Sequence, residues 1–331
     1  MKRRIAMMNV QGQNAHQLPP ILGDRQSKKL RLGFLPVLLV GLASAAWGQS
    51  FSFRTVDFPG TAETGLDGNN NAGDIVGIYS AAPSCCSGNG FVLSNGSFRV
   101  VAYPGAASTE ADGINSAQIV VGVYFDSSNL RHGFALQGVK YRKIDFPRSV
   151  ESNAARINDN NDIAGSYSDG SHWHGYWLQA GKFATVDYPG AANSNVTDIN
   201  NAAEMIGYYY QDDGLVHGFL YSGGTFTPID YPGASQTGSF ALNNNGEIAG
   251  EWADSSGAFH GFTLTSGVYS SFDFPGAFAT YPYGLNDSGV IVGLALTDYA
   301  YTGQGFLASP VTPDSRGTHG QTGSRTVGKL E

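Results

Sequence analysis

HGFLYSGGTFTPIDYPG, residues His217 to Gly233, places two runs rich in β-branched and aromatic residues on either side of Gly223-Gly224. A two-residue Gly-containing connection is the commonest hairpin loop, because its positive φ angles match the twist of the flanking strands. The stretch therefore predicts an antiparallel hairpin. Counting outward from the turn sets Tyr221 opposite Phe226, Phe219 opposite Pro228 and His217 opposite Asp230.

Near copies give the same count. HGFTLTSGVYSSFDFPG pairs His260 with Asp273, HGFALQGVKYRKIDFP pairs His132 with Asp145, and HGYWLQAGKFATVDYPG pairs His174 with Asp187. In NGFVLSNGSFRVVAYPG, which turns at Asn95-Gly96, Asn89 faces Ala102. Both partners are lost together there, which supports the pairing and a structural role for it.

The copies set a period. Pro59, Pro104, Pro147, Pro189, Pro232 and Pro275 are 45, 43, 42, 43 and 43 residues apart. Each is followed eleven residues later by Asn (70, 115, 158, 200, 243, 286), and seven further on by Gly (77, 122, 165, 207, 250, 293). Length varies only between that Gly and the aromatic that follows the His column. One loop per repeat thus absorbs all the variation.

Each repeat reads as four strands: one ending at Ile-Asn as in Asp198-Ile199-Asn200, one of the type Glu247-Ile248-Ala249-Gly250, and the two of the hairpin. Four-stranded units of ~40–50 residues are the signature of propeller blades, and tight turns demand antiparallel pairing. The predicted fold is an all-β, six-bladed β-propeller. The array begins with a lone hairpin-type strand, Phe51 to Phe58, and its last copy stops at Pro310 without one. The N-terminal strand is therefore expected to complete the sixth blade beside Gly305-Phe306-Leu307, with Asp57 facing Gln304, and so remove the open edges. The Pro-Gly pairs suit type II turns; Pro147-Arg148 lacks the Gly and predicts a different turn.

The Ile-Asn and Ile-Val-Gly columns, with His-Gly-Phe at His132, His217 and His260 and His-Gly-Tyr at His174, resemble the bacterial extracellular repeats named for a His-Ala-Phe triplet. The resemblance spans residues 51 to 310. It implies an exported repeat protein and carries no catalytic residue over.

Residues 1–48 read as leader and signal peptide, 49–310 as the repeat domain, and 311–331 as a polar, disordered tail. The stretch KKLRLGFLPVLLVGLASAAWG (28–48) has a basic start, a short apolar run and small residues for cleavage after Ala45 or Gly48. The run is too short for a spanning helix, which needs ~20 apolar residues. The expected location is periplasmic or extracellular, with no membrane span after cleavage. Residues 49–310 hold 9 Lys+Arg against 24 Asp+Glu, and 183–310 hold no Lys or Arg. Phosphate neutralisation needs basic side chains, so nucleic acid is a poor partner. Cys85 and Cys86 are adjacent and form no disulfide framework.

Four His-Asp pairs at one register read as hydrogen bonds repeated by the architecture, and no Ser or Cys in a nucleophile turn accompanies them. Tyr79, Tyr124, Tyr167, Tyr209 and Trp252 are expected to stack in the core with the aromatics before the Pro column. His172 and His174 flank Trp173 at a metal spacing but lack a further unique ligand. The variable loops and the Pro-Gly linkers emerge on one face, where function is expected because loops on a rigid scaffold tolerate variation. That face carries Asp126, Asp169, Asp212, Asp213, Asp254 and Asp298, with Trp173 and Tyr210 nearby. Carboxylates of this kind hold Ca²⁺ and aromatics stack on sugars, while Asp in turns also simply closes them. No cofactor is implied. The leading expectation is a non-catalytic, monomeric scaffold for a glycan or an extracellular protein. A polysaccharide hydrolase or lyase and a structural surface protein are the alternatives.

Overall fold

The computed structural model describes residues 50–80, 88–297 and 303–311. The leader and signal stretch, Cys85, Cys86, Asp298 and the polar tail lie outside the described residues.

After β1 (Phe51–Thr55) come units of four strands. The first has β2 (Glu63–Asn69), β3 (Ile75–Ser80), β4 (Asn89–Ser94) and β5 (Ser97–Val101). The second has β6 (Ser108–Ile114), β7 (Val120–Phe125), β8 (Arg131–Gln137) and β9 (Lys140–Ile144). The third has β10 (Glu151–Ile157), β11 (Ile163–Ser168), β12 (Trp173–Gln179) and β13 (Lys182–Thr185). The fourth has β14 (Asn193–Ile199), β15 (Met205–Tyr210), β16 (Val216–Ser222) and β17 (Thr225–Ile229). The fifth has β18 (Gln236–Leu242), β19 (Ile248–Ala253), β20 (Phe259–Thr265) and β21 (Val268–Phe272). The last has β22 (Ala279–Leu285), β23 (Ile291–Leu296) and β24 (Gly303–Pro310), against which β1 pairs antiparallel with Thr55 opposite Phe306.

The hairpin registers follow the turns, with Tyr221 opposite Phe226 and Phe219 opposite Pro228. Asn95-Gly96, Ala180-Gly181, Gly223-Gly224 and Ser266-Gly267 have positive φ at both positions, as type I′ turns require. Only the first residue of Gly138-Val139 is positive, at 61°.

By hydrogen bonding there are four four-stranded sheets and one of eight strands. The fifth and last units are joined into the larger sheet by a single parallel bridge, Phe259 to Ala279. Where the sequence predicts six closed blades, the backbone hydrogen bonds thus give five sheets, none of them closed on itself, because that bridge joins the fifth and last units. The architecture is all-β and propeller-like.

The first strand of every unit carries a bulge, at Leu66/Gly68, Ala111/Gly113, Ala154/Arg156, Val196/Asp198, Ser239/Ala241 and Pro282/Gly284. The Gly column lies opposite it. A Cβ on Gly207 would stand 1.9 Å from the Asn195 carbonyl oxygen, and on Gly77 2.0 Å from that of Gly65. Close backbone approach across the bulge therefore explains a glycine at this place in each repeat.

The apolar cores lie between successive units, each joining one unit's face to the next. A further cluster packs Val292, Leu307 and Val56 against Leu66, Ile75 and Phe91 of the first unit. First strands also touch in sequence, and β22 touches β2. The aromatic columns stack as expected: Tyr103 on Tyr124 at 3.7 Å, Phe146 on Tyr167 at 3.7 Å, Tyr188 on Tyr209 at 3.7 Å and Tyr231 on Trp252 at 4.3 Å.

At Pro147-Arg148 the turn does not differ. Arg148 takes φ 68°, where the other copies place Gly at 76–83°, and Ser149 N–H bonds the Phe146 carbonyl at 3.1 Å. Ser149 and Ser152 hydroxyls tie the same corner down, so the surroundings impose the conformation on an unsuited residue. Left-handed backbone costs a non-Gly residue roughly 1–2 kcal/mol. Arg148→Gly is therefore expected to raise stability by about 1 kcal/mol, after the added freedom of the unfolded glycine is counted. Denaturant unfolding reads this, and a loss of stability would refute the account.

Candidate functional site

The two poles of the molecule are built differently. At the pole formed by the turns between first and second strands, the Asn column makes a continuous chain of hydrogen bonds. The Nδ2 of Asn70, Asn115, Asn158, Asn200 and Asn243 each donates to the backbone carbonyl of the next Asn, and Asn286 donates to that of Asn70 at 3.2 Å. The same side chains close their own turns, as where Asn243 Oδ1 accepts from Asn245 N–H and Glu247 N–H, both at 3.0 Å. One residue further on, a second set bonds across units, including Asp287 N–H to Asn71 Oδ1 at 2.8 Å. These residues line a polar recess of about 70 Å³. All six units serve it alike.

Arg156 forms the floor of this recess. It sits just past the bulge in β10, where the other units have Gly68, Gly113, Asp198, Ala241 and Gly284. Its guanidinium donates to the carbonyls of Ala155 (2.9 Å), Asp67 (2.5 Å), Asp112 and Tyr283, all bulge residues. Its Nε lies 3.7 Å from Asp198 Oδ2. Burial pushes the Asp198 carboxyl up to about 6, opposed by Arg156 and by the N–H groups of Leu242 and Ile199.

The hairpin histidines meet their aspartates. Nδ1 lies 2.8 Å from the carboxylate at His132–Asp145, 2.7 Å at His174–Asp187, 2.8 Å at His217–Asp230 and 3.0 Å at His260–Asp273. In three units Nε2 also faces a loop carboxylate: Asp126 at 3.5 Å, Asp169 at 3.5 Å and Asp254 at 3.6 Å. In the fourth unit Gln211 stands at the corresponding place, and His217 Nε2 is buried without a partner.

Those loop aspartates do not converge on one another; each closes its own loop. Asp126 accepts from Ser128 and Leu130 N–H, Asp169 from Ser171 and His172 N–H, and Asp254 from Ser256 and Ala258 N–H. The amide bond from His172 foremost holds Asp169 down to about 2, and the Ser256 hydroxyl does the same for Asp254. Asp213 accepts from Leu215 N–H, and Asp212 is exposed. Among the described residues no three of His, Cys, Asp and Glu gather into a set that could hold a metal.

At the other pole, where linkers enter the first strands, the units diverge. Trp173 opens β12 and is buried, its backbone N–H donating to Asn193 Oδ1 at 2.9 Å and the Arg131 guanidinium 5.5 Å from its ring centre. Tyr210 ends β15, half-buried, 6.0 Å from Tyr208. The column after the conserved-in-repeat Gly reads Ile78, Val123, Ser166, Tyr208, Glu251 and Leu294. Glu251 is 2 % exposed, and burial alone pushes its carboxyl up to about 8. Sequence reading missed Glu251, Tyr208, Arg131 and Arg156. The available signal was a charged or aromatic residue standing alone in a repeat column of small or apolar ones.

The fold defines a β-propeller-like protein whose linker-side mouth is lined by residues that differ from unit to unit. Among solved structures it is similar to TolB from Acinetobacter baumannii (TM-score 0.53, 12% identity, 74% of this chain and 63% of that one). It is similar also to the SapL1 lectin in complex with alpha methyl fucoside (0.50, 11%, 77% and 98%) and to Trypanosoma rangeli sialidase (0.50, 9%, 78% and 55%). Such identities speak for the fold alone. No family model matches the chain, and no curated protein matches it in sequence.

Proposed function

We propose that the chain is an exported, closed six-bladed β-propeller of the His-Ala-Phe repeat type that binds a glycan at the linker-side axial mouth and performs no chemistry. Export rests on the leader pattern of residues 28–48. Closure into six blades is supported by β1 completing the last unit, by the Asn286-to-Asn70 hydrogen bond and by the core joining last unit to first.

The observation that carries the binding reading is the contrast between the poles. One chain keeps the Asn column identical in all six units, yet varies every unit where the linkers enter. A site that recognises one ligand needs residues that occur once, and Trp173, Tyr210, Arg131 and Glu251 occur there once each. Aromatic faces beside amide and carboxyl groups suit sugars, which present an apolar face and a rim of hydroxyls. A lectin and a sialidase share this fold, so either binding or turnover is compatible with it.

The test is isothermal titration with a panel of oligosaccharides, followed by assay for released sugar. Tyr210→Ala is expected to weaken the oligosaccharide that binds by about three- to tenfold, the worth of one aromatic contact. Asn71→Ala, at the opposite pole, should leave affinity unchanged. The reverse pattern would overturn the reading, and released sugar would replace it with hydrolysis or lysis.

A further inference from the structure

Six aromatic rings run in unbroken contact across the fourth, fifth and last units. They are Tyr210, Tyr208, Phe240, Tyr283, Tyr281 and Phe259, with successive centroids 6.0, 5.8, 5.8, 6.3 and 5.7 Å apart. Phe240 and Tyr283 are the extra residues of their bulges, so the bulge re-aims them toward their neighbours in the next unit. Glu251 belongs to β19, between the strands that supply Phe240 and Phe259, and its cross-strand partners Gly238 and Gly261 have no side chains to cover it. Among the described residues its carboxyl makes no hydrogen bond; burial raises the Tyr208 and Tyr210 phenols, and the nearby Glu251 charge raises both further.

We infer that this crescent with Glu251 is a receptor for an organic cation, the primary ammonium of an amino sugar, within the glycan site proposed above on whose existence this rests. A buried carboxyl without a partner is costly to ionise, and a desolvated ammonium is the group that repays that cost. Aromatic faces within ~6 Å add cation–π attraction. The titratable groups that feel the Glu251 charge are Tyr208 and Tyr210 of β15. The Arg131 guanidinium, which acts on Tyr208, is placed over Phe125 and Trp173, and that of Arg156 is bonded to the Tyr283 carbonyl.

At pH 6, where the amino sugar is an ammonium, burial keeps Glu251 protonated; the arriving ammonium draws the carboxylate form, and the carboxyl proton passes to buffer. The ammonium itself keeps its protons, so no bond to carbon or nitrogen changes.

The experiment is calorimetry on the full chain at pH 6 in two buffers of different ionisation enthalpy. The probes are a glucosamine tetramer, its N-acetylated counterpart and tetralysine. The free amine sugar is expected to bind at least tenfold more tightly than the acetylated one, with release of between half and one proton. Glu251→Gln, which keeps shape and neutrality, should abolish both the preference and the proton release while thermal unfolding shows an intact fold. Equal affinity for both sugars, or an unchanged preference in Glu251→Gln, would overturn the cation site while sparing the glycan reading. Binding of tetralysine with neither sugar would sustain the cation receptor, overturn the amino-sugar source and end the glycan reading. No binding of any probe would overturn the inference.

Discussion

Arg156→Ala is expected to lower stability by about 4 kcal/mol. The guanidinium satisfies bulge carbonyls from four units and neutralises Asp198, so its loss leaves several buried acceptors and one carboxylate unpaired. Removing one partner of a buried pair costs roughly 3–5 kcal/mol, and each stranded polar group adds to it. At ~2–4 °C per kcal/mol for a domain of this size, the midpoint should fall by about 10 °C. The double variant Arg156→Ala/Asp198→Ala should recover part of the loss, because the corresponding places elsewhere hold Gly or Ala and no charge. Additive losses in that cycle would show that the two side chains act independently.

The second large effect is a pH dependence owned by Glu251. Burial holds its native carboxyl at about 8 against an ordinary value of 4.5, so between these values the native state keeps a proton that the unfolded chain releases. Stability from this group is complete below about pH 4.5 and is lost as pH rises through about 8. At 1.36 kcal/mol per unit the loss is about 5 kcal/mol at most. Asp198, raised to about 6, gives a loss of the same sign that ends near pH 6, so the interval from 6 to 8 isolates Glu251. Denaturant unfolding of wild type should show stability falling across that interval. Glu251→Gln should be flat there and more stable than wild type at pH 8. An equal slope in both proteins would mean that Glu251 is ionised in the native state.

Much of this molecule was legible from residues alone. Alternating β-branched and aromatic runs around Gly223-Gly224 or Ser266-Gly267 fix the hairpin register through the turn, and register fixes which His meets which Asp. Those are short-range facts, settled within thirteen residues of chain. The period of the Pro, Asn and Gly columns likewise fixes a unit of four strands. Its one local misreading, at Pro147-Arg148, arose because composition ranks conformations by intrinsic cost, whereas the serine hydroxyls around the turn decide between them.

The Asn column shows the boundary between the two kinds of information. Its spacing was evident, yet a hydrogen bond from Asn286 to Asn70 crosses 216 residues and exists only because the last unit meets the first.

The sequence by itself determined the repeat, the strands, the turns and the paired columns, because each depends on neighbours within one unit. Only the tertiary structure decided which solitary residues share a place. Arg156 reaches a carbonyl 127 residues away, and the rings of Tyr208, Phe240 and Tyr283 come from three units. No periodicity marks residues that occur once, so packing between units, and not pattern within them, creates the mouth.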